Sequence, residues 1–396
     1  MTTTRPARWA VLAPAAVLVI TALCLRGPFA AVGPVLDEVG EELSVSTGAL
    51  AVVTSLPLVC FGLLSPFAPA LAARIGLHRA VFVGTAVLAV GIALRSLGTV
   101  GLFVGTVVLC GGIAVANVLL PAVARAEYGA RSAAVVGAIT GSMALSASLG
   151  AGLAQPLVDL TGSALGSLAL WLVPVAIALV GLGLFARARP ESPAPPPPPG
   201  RRTAILRDRV ALAVILFFGL QSLSFYGMLT WLAQTLEDDA GVTPVTAGVL
   251  LAVAALFGAP LSLVIPPLAA RRPSQVPWVV VAFLPSAAGV VGLILAPDAA
   301  PVLWSVLYGL GTGAAFPLAM TLVLVRSRDV AQTGRLSAAS QSLGYLLAAS
   351  GPLAVGLLHE ATGGWTSGLV LLLAVLVGQL LVGLLAARPR LVRADA

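Results

Sequence analysis

Leu23-Cys24-Leu25-Arg26-Gly27-Pro28-Phe29 lies deep inside an apolar run from Trp9 to Leu36, and Arg26 is the only charge in that run. A run of this length reads as a membrane-crossing helix, because the hydrocarbon core takes ~20 apolar residues to span. It is too long for the core of a signal peptide, and Arg26 would be out of place in one, so it reads as an uncleaved first span. Arginine stays protonated in such a setting. At the centre of a membrane helix it costs about 2.5–3.5 kcal/mol even on the lenient insertion scales. An arginine kept at that cost needs something to face.

Outward from this stretch the pattern repeats. The chain is 59% hydrophobic and 9% charged over 396 residues, whereas a soluble domain carries roughly 25% charged residues. Apolar runs cover 9–36, 47–73, 79–97, 101–124, 132–157, 165–186, 210–236, 245–270, 276–296, 301–325, 334–358 and 365–387. The long continuous runs indicate helices rather than the weak alternating segments of a membrane barrel. The expected fold is an all-α membrane protein with twelve transmembrane helices in two six-helix halves.

The net charge of +7 comes entirely from arginine, since the chain has no lysine. Its distribution argues against a nucleic-acid partner. With the N-terminus in the cytoplasm and twelve crossings, every arginine except Arg26 and Arg95 falls inside, and Arg95 falls at an outer end. Acids concentrate outside, at Asp37–Glu42 and Glu237–Asp239. This is the bias expected of a multi-pass protein, with both termini cytoplasmic. Cys24, Cys60 and Cys110 all lie in apolar runs and read as packing residues, with neither a disulfide framework nor metal spacing.

Five consecutive prolines, Pro195 to Pro199, fall between the sixth and seventh runs. Such a run is extended and cannot enter a bundle. It divides the chain into 1–189, a cytoplasmic linker at 190–207, and 208–396. The two parts echo each other. Leu71-Ala72-Ala73-Arg74 recurs as Leu268-Ala269-Ala270-Arg271, and Asp159-Leu160-Thr161-Gly162 recurs as Glu360-Ala361-Thr362-Gly363. Both offsets are close to half the chain, which implies a duplicated six-helix unit. Repeats of this kind place a binding site near the bilayer midplane, between the units.

At this point the sequence resembles the major facilitator superfamily. Arg74-Ile75-Gly76-Leu77-His78-Arg79 is similar to its loop signature, with Ala73 where that signature has an acid. Within the superfamily the chain resembles the cyanate permease and nitroimidazole transporter family. The likeness is carried by Leu25-Arg26 with Val32-Gly33-Pro34-Val35-Leu36, and by Ala116-Asn117-Val118-Leu119-Leu120-Pro121. It continues in Gln221-Ser222-Leu223-Ser224-Phe225-Tyr226 and Thr230-Trp231-Leu232, in Gly309 to Pro317, and in Gln341-Ser342-Leu343-Gly344-Tyr345. The resemblance implies that spans one, four, seven and ten line a central cavity. It also implies a monomer in a bacterial cytoplasmic membrane.

The candidate substrate-binding residues are Arg26, Asn117, Gln221, Ser222, Tyr226, Trp231, Phe316, Gln341 and Tyr345. Ser337, Gln341 and Tyr345 share one helical face, and Ser222 and Tyr226 are one turn apart. Polar stripes on membrane helices face a neighbour or water rather than lipid. Structural readings stand beside the functional ones. Asn117 and Gln341 could join helices, Trp231 could anchor at the interface, and Phe316 could be a plain wall. For Arg26 the alternative is an ion pair, but no acid lies inside any predicted span.

No metal-spaced histidines, intramembrane acid pair or Ser–His grouping suggests catalysis, so neither a metal nor a cofactor is expected. No ATP-binding motif is present. The expected function is transport of a small polar, anionic solute by alternating access, the resemblance suggesting a cyanate-like anion or a nitroimidazole-like heteroaromatic. A non-transporting receptor or a membrane-embedded enzyme is the alternative. Lacking an intramembrane carboxylate, the chain is expected to work as a uniporter or to let the substrate carry the coupled proton or charge. Glu127 is the nearest candidate for a carrier.

Overall fold

The computed structural model describes residues 8–45, 47–188 and 205–393; the proline run and most of the linker lie outside the described residues. Before the linker the helices are α1 (Arg8–Leu23), α2 (Gly27–Ala30), α3 (Leu36–Leu43), α4 (Thr47–Leu64), α5 (Phe67–Ile75), α6 (Leu77–Arg95), α7 (Gly98–Tyr128), α8 (Ser132–Thr161), α9 (Ala164–Ala169) and α10 (Leu172–Ala188). After it come α11 (Arg209–Ala240), α12 (Pro244–Leu256), α13 (Gly258–Ala270), α14 (Val276–Leu295), α15 (Pro301–Arg326), α16 (Val330–Thr362) and α17 (Thr366–Ala386). Helices are the expected result, because lipid supplies no partner for backbone N–H and C=O groups.

Among the described residues, ten segments are long and apolar enough to cross a membrane, or eleven if the bent pair of Leu56–Leu64 and Phe67–Ile75 forms one span. The sequence predicts twelve. The difference has a physical source in Gly98–Thr161, which counts as one 64-residue segment. It contains α7 and α8, of 31 and 30 residues, joined by a single 3-10 turn at Gly129–Arg131. Gly129 has φ +49°, a left-handed backbone that suits glycine, and the chain reverses there.

Apolar packing divides by depth. One core runs from α1 through α10 and takes in the arginine-rich ends of α11, α13, α14, α15, α16 and α17. A second core, made of Leu223, Leu232, Leu250, Val290, Tyr308, Leu369 and their neighbours, lies entirely after the linker and towards the acidic ends. Among the described residues the core shared by helices before and after the linker is this first one, which takes in the arginine-rich ends. At that end Arg125 of α7 donates to the carbonyls of Leu324 and Arg328, and nearer mid-span Ser342 of α16 donates to Gly62 O of α4 at 2.6 Å.

Two contacts organise the acidic end. The Glu42 carboxylate accepts from Ser163 Oγ, Ala164 N and Leu165 N at 2.8, 2.8 and 3.2 Å, which ties α3 to the start of α9. Arg95, expected at an outer end, lies at the end of α6, where it is 2% exposed and donates to Pro28 O at 2.8 Å.

Candidate functional site

The first span is not one continuous helix. Regular structure stops at Leu23 and resumes at Gly27, and Cys24, Leu25 and Arg26 form the turn between. Pro28 explains part of this. It has no N–H for the carbonyl four residues back, and its ring disfavours helical backbone at the preceding residue. The chain tightens into short bonds, Cys24 N to Thr21 O and Leu25 N to Ala22 O, at 3.0 and 3.2 Å.

Ser146 of α8 completes the turn. Its hydroxyl donates to Leu23 O at 2.5 Å and accepts from Gly27 N at 2.7 Å. Those two backbone groups are partners in an unbroken α-helix, so the side chain has inserted into the ladder. Gly150, one turn further along α8, allows the approach. A Cβ built there would lie 2.5 Å from Gly27 O and 2.8 Å from Gly27 Cα. Small residues four apart let membrane helices close to backbone distance.

The turn presents Arg26 towards the helices after the linker. Its Nη1 donates to Tyr226 OH of α11 at 2.8 Å, and its Nη2 donates to Tyr345 OH of α16 at 3.1 Å. The guanidinium carbon lies 6.0 Å from the Phe29 ring centre and 5.9 Å from that of Phe316 in α15, at the edge of useful cation–π range. Ion pairs join His78 to Glu127 and Arg393 to Asp208. Neither involves Arg26, whose charge is met, among the described residues, by neutral oxygens and ring faces. The Tyr345 ring is fixed by Phe61 at 5.4 Å and Phe218 at 5.3 Å.

A tight cavity of about 10 Å³ adjoins this group and is lined by Asn117, Phe316, Gln341 and Tyr345 together with Thr140 and apolar residues of α7, α8 and α15. Gln341 Nε2 donates to Asn117 O at 3.1 Å and to Ser337 Oγ at 3.0 Å, so it also joins α16 to α7.

The structure thus brings Arg26, Tyr226, Tyr345 and Phe316 into one group, with Asn117 and Gln341 beside it. Three other candidates point elsewhere. Gln221 and Ser222 are buried and bond to each other at 2.6 Å. Trp231 donates its indole N–H to Pro352 O at 2.8 Å and packs on Trp365 at 5.3 Å. Phe316 shares α15 with Thr312 and Tyr308, one and two turns before it, but these two face other partners. Tyr308 donates to Ser224 O at 2.9 Å and Thr312 bonds back to Tyr308 O at 2.9 Å, leaving Phe316 as the residue that reaches Arg26. Residues not anticipated from sequence are Phe29, Phe61, Ser146, Arg95 and Phe218.

The model of the Major Facilitator Superfamily matches residues 18–352. The chain belongs to this superfamily. It is 34% identical over 365 residues, 91% of this chain and 90% of the other, to the "uncharacterized transporter YycB" of Bacillus subtilis. It is 32% identical over 379 residues, 95% of each chain, to the 2-nitroimidazole transporter of Escherichia coli K12. The structure of the proton:xylose symporter XylE superposes with a TM-score of 0.76 over 94% of each chain at 11% identity, which establishes the fold. As a major facilitator, the chain is a secondary transporter of the alternating-access type rather than an enzyme. Its context is a lipid bilayer and its cargo a small molecule.

Proposed function

We propose that the chain moves a small polar, anionic solute and holds it on Arg26 between two six-helix halves. The observation that carries this reading is the Arg26 guanidinium, set at a break in the first span without a carboxylate partner among the described residues. A planar fork of this kind suits carboxylate-like or nitro-like oxygens. The similarity to the 2-nitroimidazole transporter favours a heteroaromatic, and the family resemblance adds cyanate-like anions. In this reading Asn117, Gln341, Tyr226, Tyr345 and Phe316 shape the site, while Gln221, Ser222 and Trp231 support the helices around it.

The same reading takes twelve crossings, counting α7 and α8 separately and the bent α4–α5 pair as one. Arginine bias puts the shared core on the cytoplasmic side, in a bacterial cytoplasmic membrane with both termini inside and the chain a monomer. Packing at that side then describes an outward-facing state, and alternation requires the Arg125 contacts to open.

Uptake into proteoliposomes tests the assignment. Small carboxylates, cyanate and nitroimidazoles are presented to the native chain, Arg26→Lys and Arg26→Ala. Uptake should weaken in Arg26→Lys, where a point charge replaces a fork, and be nearly abolished in Arg26→Ala. Both variants should fold. Unchanged affinity in a folded Arg26→Ala variant defeats the assignment.

A further inference from the structure

We propose that Asn117 and the slot beside Tyr345 form a second subsite that reads a ring edge carrying a hydrogen-bond donor and an acceptor side by side, such as a lactam or an amidine. The proposal rests on the anion reading at Arg26 and names the other end of the solute.

Asn117 is 5% exposed, and neither Oδ1 nor Nδ2 has a hydrogen-bond partner among the described residues. Buried amides are almost always paired, because an unpaired one loses its hydration without replacement. Packing alone does not account for this side chain. The backbone of the same residue is satisfied, since Asn117 O accepts from Gln341 Nε2 at 3.1 Å. The backbone is thus held, while the carboxamide's own donor and acceptor are still to be used.

Asn117 lines the slot, and a carboxamide offers its donor and acceptor adjacent and nearly coplanar. Its complement is an edge with the reverse order, the same match by which asparagine reads adenine. The other walls suit a flat ring. Val136, Ile139 and Phe316 are apolar, and Met143 and Met320 close the space. The slot is now large enough for about one water. Methionines are the side chains best able to yield to a ring.

Tyr345 and Phe316 belong to both environments. Each meets Arg26, by hydrogen bond or ring face, and each lines the slot. A single small ring lying along them would place an anionic group at Arg26 and its far edge at Asn117. Two-ended recognition of this kind excludes simple inorganic anions from tight binding while admitting heteroaromatic acids.

Calorimetric titration of the purified full-length chain tests this with two probes of the same shape. One is benzoate. The other is its pyridone analogue, whose ring N–H and C=O sit side by side away from the carboxylate. The native chain should bind the pyridone about tenfold more tightly, the value of two modest hydrogen bonds. Asn117→Leu should remove that preference, so that the two probes bind alike, and should melt no lower than the native chain. Asn117→Ala repeats the measurement should the leucine variant fail to fold. Equal binding of both probes by the native chain, with loss of both in Arg26→Ala, overturns the subsite and leaves the Arg26 reading standing. A preference that survives at Asn117→Leu overturns it as well, as does binding of water alone, seen as indifference to both probes. Preference that depends on Asn117 but not on Arg26 upholds the subsite and removes the anion reading instead.

Discussion

Gly27 donates its backbone N–H to the hydroxyl of Ser146 at 2.7 Å, and that hydroxyl in turn donates to the carbonyl Gly27 would bond in an unbroken helix, Leu23 O. One side chain from α8 thereby holds open the turn on which Arg26 sits. Arg95 secures the far side of the same turn by donating to Pro28 O. The freed backbone groups are met by protein, as the membrane interior requires, and the guanidinium is left to face the opposite helices.

Ser146→Ala should disturb transport more than it disturbs folding. Two buried backbone groups lose their partner, at about 1–3 kcal/mol for each group left unsatisfied unless the helix closes on itself. Closure restores the Leu23–Gly27 bond and rotates Arg26 away from Tyr226 and Tyr345. The expected result is a melting temperature lowered by a few degrees at most, roughly in line with a small net loss, together with at least about tenfold weaker solute binding. Ser146→Thr keeps the hydroxyl and should retain binding if its methyl fits. Native affinity in Ser146→Ala would show that the inserted hydroxyl does not position Arg26.

Arg125 is expected to act as a latch. It is the described side chain of α7 that reaches two carbonyls across the linker division, on Leu324 and Arg328. Arg328 is itself tied to the C-terminal tail through Val392 O at 2.7 Å, so the acceptor loop is held from both sides. Arg125→Ala should favour the alternate state open at the arginine-rich end. Alkylation of a cysteine placed at Ala122, 1% exposed and beside Gly334, should accelerate in Arg125→Ala when reagent is applied from that side. An unchanged rate would mean that packing, not the latch, keeps this end shut.

How much of this was legible beforehand follows from which interactions are local. Arg26 declared itself because a lone charge in an apolar run is expensive, whatever surrounds it. Tyr226 and Tyr345 followed from helical spacing and depth. Gln221 and Trp231 obeyed the same rules yet point away, because a polar residue in a membrane helix is equally content with a neighbour's carbonyl, here Pro352 O for Trp231. Arg95 was readable in its position at a helix end, but its burial was not, because that depends on the Pro28 carbonyl of another span. The division of Gly98–Thr161 into two helices was readable from Gly129 and the arginines around it, since polar punctuation is local. The insertion by Ser146 was not, since nothing in a serine distinguishes one that bonds its own helix, as Thr140 does to Val136 O, from one that enters another.

Glu127 should not carry the coupled proton. It pairs with His78 at 3.1 Å near the arginine-rich end, with both side chains largely buried, and is not among the residues grouped around Arg26. A carrier for the substrate site would sit in contact with that site. Glu127→Gln should therefore leave accumulation driven by an imposed pH gradient intact in proteoliposomes, with some loss of stability from the broken pair. Loss of accumulation with solute exchange preserved would make the pair part of the coupling pathway.

The two tyrosines should matter only through Arg26. Each hydroxyl accepts from the guanidinium, at 2.8 Å for Tyr226 and 3.1 Å for Tyr345, and so keeps its own O–H available to donate to an anion held on the same fork. Tyr345 is 2% exposed and locked between Phe61 and Phe218, so Tyr345→Phe changes almost nothing except the oxygen. Tyr226 is half-buried, and its phenylalanine variant also keeps the ring. Loss of a hydrogen bond involving a charged partner is worth about 1.5–3 kcal/mol, which is roughly tenfold or more in solute affinity for either variant. A double-mutant cycle separates this from general damage. Combined with Arg26→Ala, either tyrosine variant should cost nothing further, because the charge that organised the hydroxyl has gone. Full additivity in that cycle would mean that the tyrosines bind the solute, or hold the helices, independently of Arg26.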